Sequence, residues 1–208
     1  MKLKVCGMKY QENIQEVASL QPDYLGFIFY DKSKRNFDNV IPELPTSIKK
    51  TGVFVNPTLD EIMDKIEKFN LQAIQLHGDE TVTFISDLRE KINSKIEIIK
   101  VFGVKDQFDF EILRPYEEVV DYFLFDTKGK ERGGNGVTFD WAVLKNYNSK
   151  KPFFLSGGIG LEQVQEIQEI IKSDLPIYAL DVNSKFEIEA GLKSVKKLIQ
   201  FKEKLYGK

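Results

Sequence analysis

Eight short runs of apolar, β-branched and aromatic residues recur along the chain, at 3–6, 24–29, 51–55, 73–76, 96–101, 122–125, 152–155 and 177–180. Runs this short and this continuously apolar read as strands buried on both faces, the condition of a parallel sheet. Stretches 59–69, 83–92, 161–171 and 192–205 return apolar residues at helical spacing and carry charges on the opposite face. Strand followed by helix, eight times over, calls for parallel strands covered by helices, and closing eight strands edge to edge removes every exposed edge. The expected fold is therefore an α/β chain forming a single-domain (β/α)8 barrel of the TIM type over residues 1–208. That length is close to the lower limit of about 200 residues for such a barrel. The second helix, somewhere in 39–48, should be short or broken because Pro42 and Pro45 fall inside it. An open doubly wound sheet is the alternative, but Cys6-Gly7-Met8-Lys9 follows the first run where that fold would place a glycine-rich dinucleotide fingerprint.

Charge and composition narrow the classes of function. A formal net charge of -2 with 30% charged residues gives no basic face for nucleic acid. One cysteine allows no internal disulfide, and one histidine beside it leaves little from which to build a nitrogen and sulfur metal cluster. No run approaches the roughly 18 apolar residues of a membrane span. A cytoplasmic protein, neither anchored nor exported, is expected. Monomer and homodimer stay open, because an amphipathic outer helix looks the same whether it faces solvent or a partner.

In a barrel the C-terminal strand ends build the site, so Cys6, Asn56, His77, Asp126, Asp181 and the glycines after Leu155 should converge. Cys6 is either a small buried hydrophobe or, at a strand end before a flexible glycine, an accessible thiol whose thiolate a neighbouring cation would favour. Asp126 either caps the loop that follows or, held at the rim of an apolar core, is a proton donor of raised pKa. Asp181 repeats that geometry. Gly157 and Gly158 either serve tight turns or, with Asn183 and Ser184 after the eighth run, cradle a phosphate. Arg35, in a charge run that solvent would ordinarily cover, is placed to clamp a carboxylate with its planar fork. His77 reads as a hydrogen-bonded structural group. The segment 127–138, which holds Gly133-Gly134-Asn135-Gly136, is the expected lid.

Several of these stretches together resemble the phosphoribosylanthranilate isomerase family of tryptophan biosynthesis. The likeness rests on Lys4-Val5-Cys6-Gly7-Met8, Gly26-Phe27-Ile28-Phe29 with Ser33 and Arg35, Gly52-Val53-Phe54-Val55-Asn56, Gln75-Leu76-His77-Gly78-Asp79-Glu80 and Phe139-Asp140-Trp141. Lys34, Asn135 and Ala190 depart from the family's usual Pro, Thr and Pro. The resemblance implies a cofactor-free and metal-free Amadori rearrangement of a phosphorylated small-molecule substrate. Asp126 would be its acid and Cys6 its base. Arg35 would bind the anthranilate carboxylate and Gly157, Gly158, Asn183 and Ser184 the phosphate, with Asp181 a further site acid. It also implies a bell-shaped pH profile with its acid limb from the thiol and its alkaline limb from Asp126. Two rivals remain: another sugar-phosphate isomerase or epimerase barrel, and a phospho-ligand-binding barrel without catalysis.

Overall fold

The computed structural model describes residues 1–105, 107–127 and 141–207. Eight strands, β1 (Lys2–Val5), β2 (Tyr24–Phe29), β3 (Lys49–Phe54), β4 (Ala73–Leu76), β5 (Glu97–Val104), β6 (Tyr122–Thr127), β7 (Phe153–Leu155) and β8 (Ile177–Val182), pair in chain order. All the pairings are parallel, and β1 returns to β8 with Lys4 opposite Asp181, which closes the barrel. The expected fold class is observed.

Five α-helices cover it: α1 (Gln11–Ser19), α2 (Leu59–Phe69), α3 (Val82–Lys91), α4 (Val164–Ile171) and α5 (Val195–Tyr206). Helix α2 has the bounds its pattern required, because Thr58 and Glu61 form a reciprocal capping box and Asn70 ends it in the left-handed region. The expectation of a helix after every strand needs correction. Among the described residues no helix follows β2, and short 3₁₀ helices, Phe110–Tyr116 and Trp141–Asn146, follow β5 and β6. Prolines explain two of these: Pro42 and Pro45 lie in the connection after β2, and Pro115 sits inside the first 3₁₀ helix. The stretch 192–205 is also not one helix. Leu192–Lys193 is a short strand, β10, paired antiparallel with β9 (Glu187–Glu189), and α5 begins only after Ser194 accepts a hydrogen bond from the backbone N–H of Lys197.

Side chains alternate along each strand, so the barrel has two cores. Inward residues Tyr24, Ala73, Ile99, Val101, Leu124, Phe154 and Ala179 fill the interior, and outward residues pack a larger layer beneath the helices. The N-terminal end is plugged by polar and aromatic groups: Tyr24 donates to Glu97 at 2.9 Å, and Tyr122 stacks on Tyr178 with ring centroids 4.3 Å apart. The opposite end carries the strand termini of interest.

Candidate active site

The thiol is placed by two local features of the sequence. Lys4 and Cys6 are two residues apart on β1 and its extension, so both point into the barrel. On neighbouring β2 stands Gly26, where a Cβ would come within 2.7 Å of Cys6 Sγ. Glycine there leaves room for the sulfur. Cys6 holds its place through its N–H, which donates to the Val182 carbonyl at 2.9 Å, and Gly7 then turns the chain at φ 73°.

From β8, Asp181 meets Lys4 at 2.8 Å, a pair buried at both ends. From β6, Asp126 accepts the Thr127 N–H at 2.9 Å and lies 3.6 Å from His77 Nε2. Burial, with the charge of Asp181 adding to it, pushes Asp126 up to about 7 despite the opposing pull of Thr127 and Lys4. Burial likewise raises the Cys6 thiol, against the lowering effect of Lys4 and Lys193. The ionisable pair is thus ordered with the carboxyl below the thiol. The expected pH profile assumed the opposite order, with the thiol below the carboxyl. The observed order arises because burial acts on both groups, and a thiol starts from a higher value.

Arg35 follows β2 and borders the same mouth, but its fork is engaged: Nε and one terminal nitrogen donate to the two oxygens of Glu187 at 2.8 and 2.7 Å. Glu187, on β9, also accepts from Lys193 Nζ at 2.7 Å, and Lys193 reaches Asn183 Oδ1 at 2.6 Å. Although burial works against it, Glu187 is held down to about 2 by Arg35 and Lys193, while burial lowers Lys193 to about 8. Gly157 and Gly158 adopt φ 88° and 68°, so the turn reading holds for both, and they line the pocket beside Asn183 and Ser184.

Cys6, Arg35, His77, Asp126, Gly157, Gly158, Asp181, Asn183 and Ser184 border one pocket, as does Thr127, the first residue of the expected lid. Asn56 is a correction. It does not line this pocket; at φ 48° it donates its N–H to Glu80 at 2.9 Å and accepts the Asp79 N–H. Of the expected lid, residues 128–138 lie outside the described residues, as do Phe139 and Asp140 of the family motif. Lys4, Glu187 and Lys193 were not foreseen as site residues. A lysine between Leu3 and Val5 in a buried run was a usable signal; Glu187 and Lys193 had none, since each is one charge among many.

Residues 3–204 match the family model for N-(5'-phosphoribosyl)anthranilate (PRA) isomerase. The chain belongs to that isomerase family. Among curated phosphoribosylanthranilate isomerases, the one from Parabacteroides distasonis is 43% identical, over 97% of this chain and 91% of its own. That from Caldanaerobacter subterraneus is 36% identical over 100% of this chain and 98% of its own. Among solved structures, the phosphoribosylanthranilate isomerase of Thermotoga maritima superposes with a TM-score of 0.83 at 32% identity, covering 100% of both chains. A phosphoribosylanthranilate isomerase in complex with reduced 1-(o-carboxyphenylamino)-1-deoxyribulose 5-phosphate gives 0.81 at 29%, again over 100% of both. One Thermotoga maritima structure is of monomers generated from a dimeric isomerase. Among the described residues no helix is long and apolar enough to cross a membrane.

Proposed function

We propose that this chain, as one domain over residues 1–208, converts N-(5'-phosphoribosyl)anthranilate to 1-(2-carboxyphenylamino)-1-deoxyribulose 5-phosphate in the cytoplasm, as a monomer or homodimer and without a cofactor. The observation that carries this reading is a protonatable carboxyl and a thiol, from β6 and β1, bordering one pocket. Asp126, with its pKa raised to about 7, is still partly protonated at neutrality. It donates its proton to the furanose ring oxygen as the C1'–O bond breaks and the nitrogen lone pair forms the C1'–N double bond. Cys6, as thiolate, takes the proton from C2', and the electron pair left behind forms an enolamine that tautomerises to the ketone. One proton is given and one taken, so the product is an isomer. The imine is the electron sink for the forming carbanion, so positioned proton transfer is what remains for the protein to supply.

At the other positions, Gly157, Gly158, Asn183 and Ser184 hold the phosphate, and Arg35 meets the anthranilate carboxylate, sharing its guanidinium with Glu187 or exchanging one carboxylate for the other. Asp181 accepts from a sugar hydroxyl. Purified protein mixed with freshly made phosphoribosylanthranilate should extinguish the anthranilate fluorescence. Persistence of that signal would refute the assignment and favour another sugar-phosphate barrel or a binding protein. Cys6→Ala and Asp126→Asn should each lower kcat by about 10² to 10⁴, and Arg35→Ala should act chiefly on KM.

A further inference from the structure

We propose that Lys4 is a positioning residue that sets the ionisation of Cys6, and that Asp181 and the thiol compete for its ammonium group. This rests on the reading of Cys6 as the base. Lys4 has no solvent exposure, and a buried ammonium is retained only where partners surround it. Its Nζ donates to Asp181 Oδ1 at 2.8 Å, and Cys6 stands two residues further along the same inward face, where the Lys4 charge acts on the thiol. An ammonium has three donors, enough for both groups at once. The barrel closure makes this arrangement: β1 and β8 pair with Lys4 opposite Asp181, while Gly26 on β2 keeps the sulfur's side open.

Burial alone would keep Cys6 a thiol. Lys4 and Lys193 draw it toward thiolate, and Asp181 opposes them. Lys193 comes from β10 and has its own charge held by Glu187; Asp126 from β6, His77 after β4, Tyr30 and Arg35 after β2 and Lys185 after β8 are the other ionisable groups lining the mouth among the described residues. Of these, Lys4 is the cation bonded to Asp181 and set on the same inward face as Cys6. When a sugar hydroxyl donates to Asp181, that carboxylate's hold on Lys4 weakens and the ammonium turns to the sulfur. Binding of a polyhydroxylated substrate thereby raises the thiolate fraction at the moment the base is needed.

Cys6 is the only cysteine in the chain, so the pH dependence of the rate of alkylation by iodoacetamide titrates this one thiol. Lys4→Met should move the thiol titration to higher pH and Asp181→Asn should move it to lower pH, each by about 1 to 3 pH units, the range for removal of a charge in contact. Lys4→Arg, which keeps the charge, should stay near the parent. A general loosening of the fold would not drive two variants in opposite directions. An unchanged titration in Lys4→Met, or both variants moving the same way, overturns the proposal. If Lys4→Met does not fold by circular dichroism, Asp181→Asn decides alone, and a titration that stays or rises overturns it. Should Cys6→Ala retain kcat, the base assignment falls, whereas the two titration shifts would still stand as facts about Lys4 and Asp181.

Discussion

A carboxyl titrating at about 7 in the folded chain, as Asp126 does, binds a proton that the unfolded chain has already lost above its ordinary value of 3.8. The native state therefore holds more protons than the unfolded state between those values, and stability falls as pH rises through them. Asp126→Asn removes that burden. It should raise the melting temperature increasingly from about pH 4 to about pH 7 and by a constant margin above, corresponding to at most about 4 kcal/mol. The same variant should lose kcat. Equal melting curves for the two proteins at pH 8 would mean that Asp126 ionises freely. At Glu187 the effect has the opposite sign. Glu187→Ala leaves Lys193 buried and Arg35 without its bidentate partner, and should cost about 3 to 5 kcal/mol in chemical denaturation.

Among the elements, the loop after β4 shows how a motif can be structural and still serve the site. Glu80 accepts the N–H groups of Asn56 and Gly78 and pairs with buried Lys100 at 3.0 Å, which fixes the turn that carries His77. A Cβ at Gly78 would lie 2.2 Å from Asn56 Oδ1, so Gly78→Ala should destabilise by about 1 to 3 kcal/mol and reduce kcat by moving His77 off Asp126. Thr58→Ala is the contrast. It removes the capping box of α2, should cost about 1 kcal/mol, and should leave kcat unaltered. Strands β2 and β4 and helix α2 were legible to the residue, because an apolar run or a capped amphipathic stretch is a local pattern. The missing cover after β5 and the hairpin of β9 and β10 were not. Apolar spacing marks what is buried, but Pro115 and the start of α5 at Ser194 decide the backbone's path.

For the molecule as a whole, the kinetic profile belongs to the pair of groups and not to either alone. With Asp126 below Cys6, the form with acid protonated and thiol ionised is a minority of the singly protonated pair. Even so, the pH dependence of kcat/KM should be a bell, rising through about 7 and falling at the higher titration of the thiol. In Cys6→Ser the alkaline limb should disappear while the acid limb stays. If the rising limb vanishes instead, the order of the two groups is wrong.

Strand number, parallel order and the arrival of Cys6, Asp126, Asp181 and the Gly157-Gly158 turn at one end could be read from the chain itself. Each depends on hydrophobic alternation and on where a run stops, which neighbouring residues set. Pairings such as Lys4 with Asp181, 177 residues apart, and Arg35 with Glu187, 152 apart, were decided only by the closed barrel. So was the order in which Asp126 and Cys6 titrate, since it depends on how much water each loses and which charges surround it. Those quantities exist only once β1 has met β8.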